Sequence, residues 1–165
     1  MTVSFAAFLR GRADRSYRAL LKEIDGVSQQ DAERFSSSGW PDHRWGVGQN
    51  GSIAGIVYHV AAWKQMTLPV FSLAGSPLSR DQFDASAAPA LSDWKALEVW
   101  ITEVGDAWNR AMLAMPDLEL ESTRIWEGQT LPVWSFIVEM YEHDIQHASQ
   151  IAYVKQLIAV DANRS

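Results

Sequence analysis

The chain has 165 residues, no cysteine, and a formal net charge of −6 with a pI near 5.1. One sizeable core, and so one domain spanning residues 1–165, is expected at this length. The acidic balance argues against a nucleic-acid partner, and the lack of thiols removes disulfides, thiolate metal ligands and a cysteine nucleophile, as fits a cytoplasmic protein. No run approaches the roughly 18 apolar residues of a membrane helix. The opening Met1-Thr2-Val3-Ser4-Phe5 lacks a basic region followed by a long apolar one, so no secretory signal is expected.

In chain order the sequence predicts four helical segments and no convincing strand. The first runs from about Ser4 to Arg34, with an apolar stripe of Phe5, Phe8, Leu9, Ala13, Tyr17, Leu20, Leu21 and Ile24 opposite a basic side of Arg10, Arg12, Arg15, Arg18 and Lys22. Those cations are interleaved with acids and read as a solvated face or a dimer rim, and Gly26 is positioned to bend the helix or end it early. The linker from Ser36 to Gly51 is rich in glycine, serine and proline, but Trp40 and Trp45 suggest that it folds back onto the body. A second segment covers Ser52 to Leu73, with Ile56, His59, Trp63, Met66 and Val70 on one face and Pro69 near its end. After a long loop to Ala90, Ser92-Asp93-Trp94 reads as the cap of a third segment. That segment is stopped by Pro116, and its seam is Trp94, Leu97, Ile101, Val104, Trp108, Ala111 and Met115. The fourth begins near Leu131-Pro132 and ends near Val160. Four such segments make an all-α four-helix bundle the economical architecture, with the order of helices around it left open by the long loops.

The fourth segment carries the chemistry. At about 3.6 residues per turn, His143 and His147 fall one turn apart on the same helical face as Phe136, Met140, Ile151, Val154 and Ile158. Two imidazoles among apolar neighbours need partners: a backbone carbonyl, a hydroxyl or a buried water can serve, and so can a divalent metal. His59 lies on the inward stripe of the second segment, so three of the four histidines face the core. Two ligands from one helix turn and one from a facing helix cap a metal from one side and leave coordination positions open. Zinc and nickel suit such ligands best, and iron is an alternative.

Two blocks carry a family resemblance. Ile53-Ala54-Gly55-Ile56-Val57-Tyr58-His59-Val60-Ala61-Ala62-Trp63 is similar to the second-helix histidine block of the DinB superfamily. Tyr141-Glu142-His143-Asp144-Ile145-Gln146-His147-Ala148-Ser149-Gln150-Ile151 is similar to its closing H-x-x-x-H helix. The resemblance implies an up-down-down-up bundle, usually dimeric, with a divalent metal on His59, His143 and His147. It implies no single reaction: understood members include transferases and isomerases that use a low-molecular-weight thiol, and others are damage-inducible or resistance proteins. A thiol reading fits a protein without cysteine, because a metal held by three neutral ligands keeps its full charge and can bind an imported thiolate; hydrolysis by activated water is the competing chemistry.

Around the three histidines, Glu139 is a candidate base or hydrogen-bond acceptor, set against the more ordinary role of a solvated surface carboxylate. Glu142, Asp144, Gln146 and Gln150 are expected at the surface. Trp45, Tyr58 and Trp63 are candidates to wall an apolar pocket for a small-molecule substrate, although aromatics at helical spacing more often fill cores. His43 is expected to be exposed, and only their charge recommends Arg44 and Arg124 as anion binders. The sequence thus supports a metal-dependent enzyme, most simply a thiol transferase, ahead of a non-catalytic binding or sequestration protein, and that ahead of a structural dimer module.

Overall fold

The computed structural model describes residues 4–34, 51–72 and 75–163, so His43, Arg44 and Trp45 of the linker lie outside the described residues. Three of the four long helices begin where a side chain satisfies one of the first free backbone N–H groups. Ser4 accepts from the Ala7 amide at 3.2 Å to open α1 (Phe5–Ile24). A break follows at Gly26, whose φ of 72° is left-handed backbone that favours glycine, so the expected single first segment is α1 plus the short α2 (Gln29–Glu33). Ser52 accepts from the Gly55 amide at 3.0 Å to open α3 (Ile53–Thr67), and Asp93 accepts from the Ala96 amide at 3.0 Å to open α4 (Trp94–Ala114). Pro69 tightens the end of the second segment into a 3-10 turn, Leu68–Phe71. Pro132 is the N-cap of α5 (Val133–Ala162), just outside the first turn where the sequence had placed it.

One element departs from expectation. The connector before α5 holds an antiparallel hairpin, β1 (Thr123–Trp126) with β2 (Gln129–Pro132), in which Trp126 pairs with Gln129. Its turn is Glu127-Gly128, with φ of 49° and 78°. Two positive φ values in a two-residue turn match the right-handed twist of paired strands, so the pair of residues closes the hairpin. Four-residue strands are too short to show periodicity beside helices of 15 to 30 residues.

Cross-helix contacts fix the topology. Phe5 meets Trp134, Arg12 lies over Tyr141, and Lys155 donates to the Glu23 carbonyl, so α1 and α5 run parallel. Tyr58 meets Trp100, and Trp108 Nε1 donates to Thr67 Oγ1, so α3 and α4 also run parallel. Arg10 donates to the carbonyls of Met112 and Met115 while Tyr17 donates toward Ile101 and Thr102, which makes α1 and α4 antiparallel. The bundle is therefore up-down-down-up in the order α1, α3, α4, α5.

Among the described residues the apolar core comes in two clusters. One gathers Leu20, Ile53, Val57, Leu97, Ile101, Ile151 and Val154; the other gathers Leu9, Trp108, Met112, Phe136, Ile137 and Met140. Between them the helices contribute buried polar groups instead: Ser16 and Tyr17 from α1, His59 and Lys64 from α3, and Asp144 and His147 from α5. No helix among the described residues is long and apolar enough to cross a membrane.

Candidate metal centre

Of the fifteen residues of α3, only Trp63 and Gln65 are not buried, so His59 enters the core whatever the phase of the helix. On α5, one turn separates His143 from His147, and His143 faces His59. The His143 Nε2 lies 2.9 Å from His59 Nε2 and 3.2 Å from His147 Nε2. His59 and His147 are 5% and 4% exposed, and one ligand atom from each of the three residues falls within 4.8 Å of the others.

These spacings suit one ion. Nitrogens about 2.0–2.1 Å from a tetrahedral centre stand about 3.3 Å from one another, close to the distances between the Nε2 atoms. The local chemistry suits it as well. His147 Nδ1 donates to Gln150 Oε1 at 2.7 Å, which leaves the lone pair of its neutral ring on Nε2, facing the other two rings. Burial, then the neighbouring His147 and His59 rings, then Lys64, hold His143 well below the ordinary histidine value, so its ring is neutral and ligand-competent near pH 7. A cation placed among the Nε2 atoms would satisfy lone pairs that otherwise face one another.

A family model described as the DinB superfamily matches residues 12–151. The chain belongs to the DinB superfamily. No curated protein and no solved structure matches it.

In this DinB protein the three histidines singled out from the sequence converge, and Trp63 stands beside them, its ring centroid 6.2 Å from that of His59 and 6.0 Å from that of His143. Trp126 of the hairpin packs edge-on to Trp63 at 5.6 Å, so β1 contributes to the aromatic surroundings of the centre. Tyr58 instead packs on Trp100 at the α3–α4 contact, 5.3 Å away. Glu139 is exposed; partial desolvation and the charge of Glu142 raise its pKa above the usual carboxylate value. Arg124 is buried and bonded to the carbonyls of Val70, Ser72 and Thr123 and to Ser122 Oγ, so it fastens the hairpin to the end of α3.

Two expectations change. Asp144, expected at the surface, is 1% exposed and accepts from Lys64 Nζ at 2.8 Å. Lys64 is the one charged residue between Ile53 and Leu68, on a helix buried nearly all round, and a cation there requires a buried partner. Gln150, also expected at the surface, is half-buried on His147, where the three-residue spacing on one helix places it. Glu142 and Gln146 are exposed as expected.

Proposed function

We propose that His59, His143 and His147 hold one divalent cation, zinc or nickel in the first place and iron otherwise, and that the protein is a metal-dependent transferase of a low-molecular-weight thiol to a small electrophilic substrate. The observation that carries this reading is the convergence of the His59, His143 and His147 Nε2 atoms within 2.9 and 3.2 Å contacts, one from α3 and two from a single turn of α5. An ion held there supplies Lewis acidity toward a thiol or water. The chain's own residues supply the rest: Gln150 orients His147, Trp63 and Trp126 offer an apolar wall to a substrate, and the surrounding core excludes water from the rings.

Elemental analysis of protein purified without a metal-affinity step tests the first half, and a thiol-dependent activity screen with and without added metal tests the second. The reading expects about one divalent ion per chain and turnover of an electrophile that is lost in His59→Ala. Metal-free protein whose melting temperature is indifferent to added zinc and nickel would overturn it, since a ligand at 100 times its Kd adds about 2.7 kcal/mol to native stability.

The aromatic pair Trp63 and Trp126 also favours a second reading, capture of a small apolar compound without chemistry; stoichiometric protection without turnover would select it. A cytoplasmic homodimer completes the proposal. The lack of cysteine supports the location. A run of exposed apolar side chains on α5, Ile145, Tyr153, Leu157 and Val160, supports the dimer, and sedimentation would read it.

A further inference from the structure

The Lys64–Asp144 pair is a buried ion pair that the proposed chemistry does not use. Lys64 is 0% exposed and Asp144 1%, and Nζ lies 2.8 Å from Oδ2. Two rings enclose the ammonium: Tyr17 of α1 at 4.9 Å and Trp108 of α4 at 5.1 Å from their centroids. All four long helices therefore meet at one charge. Asp144 Oδ1 has no hydrogen-bond partner among the described residues, so the carboxylate is held by the lysine and not by a wider network.

Buried ion pairs are weak sources of stability, because apolar residues of similar volume are often as good or better. Their better-attested role is to fix register. Here the register concerned is that of the two helices that bring the histidines together. Asp144 follows His143 directly on α5, and Lys64 follows His59 by five residues on α3, about 7.5 Å along the axis. The ring contact pins that alignment only weakly by itself, since without an ion it rests on Nε2–Nε2 approaches of 2.9 and 3.2 Å between imidazoles whose single proton can sit on either ring nitrogen. A second tie between α3 and α5, 80 residues apart in sequence and made of full charges, can.

We infer that Lys64 and Asp144 are positioning residues for the histidine centre: their ion pair locks α3 against α5 so that His59 meets His143 and His147 at ligand spacing before any ion arrives. The inference rests on the metal reading proposed above. A preformed site binds more tightly than one that must be assembled, because the ordering is already done.

The test compares wild type with Lys64→Met/Asp144→Leu, both metal-free, by thermal unfolding, by Co2+ titration and by the visible absorption of the Co2+ forms. The inference expects the double variant to unfold at or above the wild-type temperature, to bind Co2+ at least tenfold more weakly, and to give an altered Co2+ spectrum. Wild-type affinity and a wild-type spectrum in the folded double variant overturn it, for the pair would then have no part in placing the ligands. Should the double variant not fold, Asp144→Asn, which keeps the shape and one hydrogen bond but not the charge, is read in the same way: Co2+ affinity reduced several-fold supports the inference and unchanged affinity overturns it. Failure of wild type itself to bind Co2+ is a different result, which removes the metal reading and this inference with it.

Discussion

Replacing Gln150 with leucine should separate the orientation of a ligand from the shape of the bundle. Gln150 Oε1 accepts from His147 Nδ1 at 2.7 Å, and that bond selects the tautomer with a free lone pair on Nε2. Leucine is close in volume but offers no acceptor, so the buried N–H loses its partner at about 1–3 kcal/mol. The ring can relieve that loss by moving its proton to Nε2 or by turning, and either change withdraws the ligand atom. Outer-shell partners of this kind are worth about 10–100-fold in metal affinity, or about 1.4–2.7 kcal/mol. Competition titration of metal-free protein with Zn2+ against a chromophoric chelator measures the affinity, and far-UV circular dichroism checks the fold. Gln150→Glu, which supplies a stronger acceptor, should bind Zn2+ at least as tightly as wild type. A folded Gln150→Leu protein with undiminished Zn2+ affinity would refute the reasoning.

Three further perturbations read other parts of the molecule. Lys64→Met alone leaves Asp144 buried without its cation and should lower stability by about 3–5 kcal/mol in denaturant titration; a loss below 1 kcal/mol would mean that the carboxylate finds another partner. Gly105→Ala would put a Cβ 2.3 Å from the Tyr17 ring, so overpacking of about 1–3 kcal/mol should outweigh the helix-propensity gain of up to about 1 kcal/mol, with a lower melting temperature as the result. The depressed pKa of His143 makes metal-free stability pH-dependent: the unfolded chain takes up a proton as pH falls below about 6.5 while the native ring does not. That contribution is complete above 6.5 and is lost on acidification at up to about 1.4 kcal/mol per pH unit, so His143→Phe should flatten the profile of melting temperature between neutral and mildly acidic pH.

Much of this was legible in the residues. Long apolar stripes gave the four long helices, and the helical spacing of His143 and His147 with the inward phase of His59 gave the cluster of three histidines, because a helix imposes one geometry on all its side chains. Features set by encounters between distant segments were not legible. Asp144 reads as surface on its own helix, since only the arrival of Lys64 across the α3–α5 contact makes it an interior group. Arg124 reads as a free cation until the hairpin folds it onto the carbonyls of Val70 and Ser72. The hairpin left one usable mark, Glu127-Gly128, which is a turn signal only when the four residues on each side are allowed to be strands. Tyr58 shows the converse: its place beside His59 in the sequence suggests a shared site, and the rotation of about 100° per residue sends it to another helix.

The parallel run of α3 and α4 has a consequence of its own. Neighbouring helices that point the same way oblige the chain between them to travel back along the bundle, about 22 Å for the fifteen residues of α3. Doubling the length of such a strap costs only about 0.6 kcal/mol in closure entropy. Insertions and deletions can therefore accumulate in it while the helix pairing that brings the three imidazoles together is untouched, so the strap can vary in length and composition independently of the interior it spans.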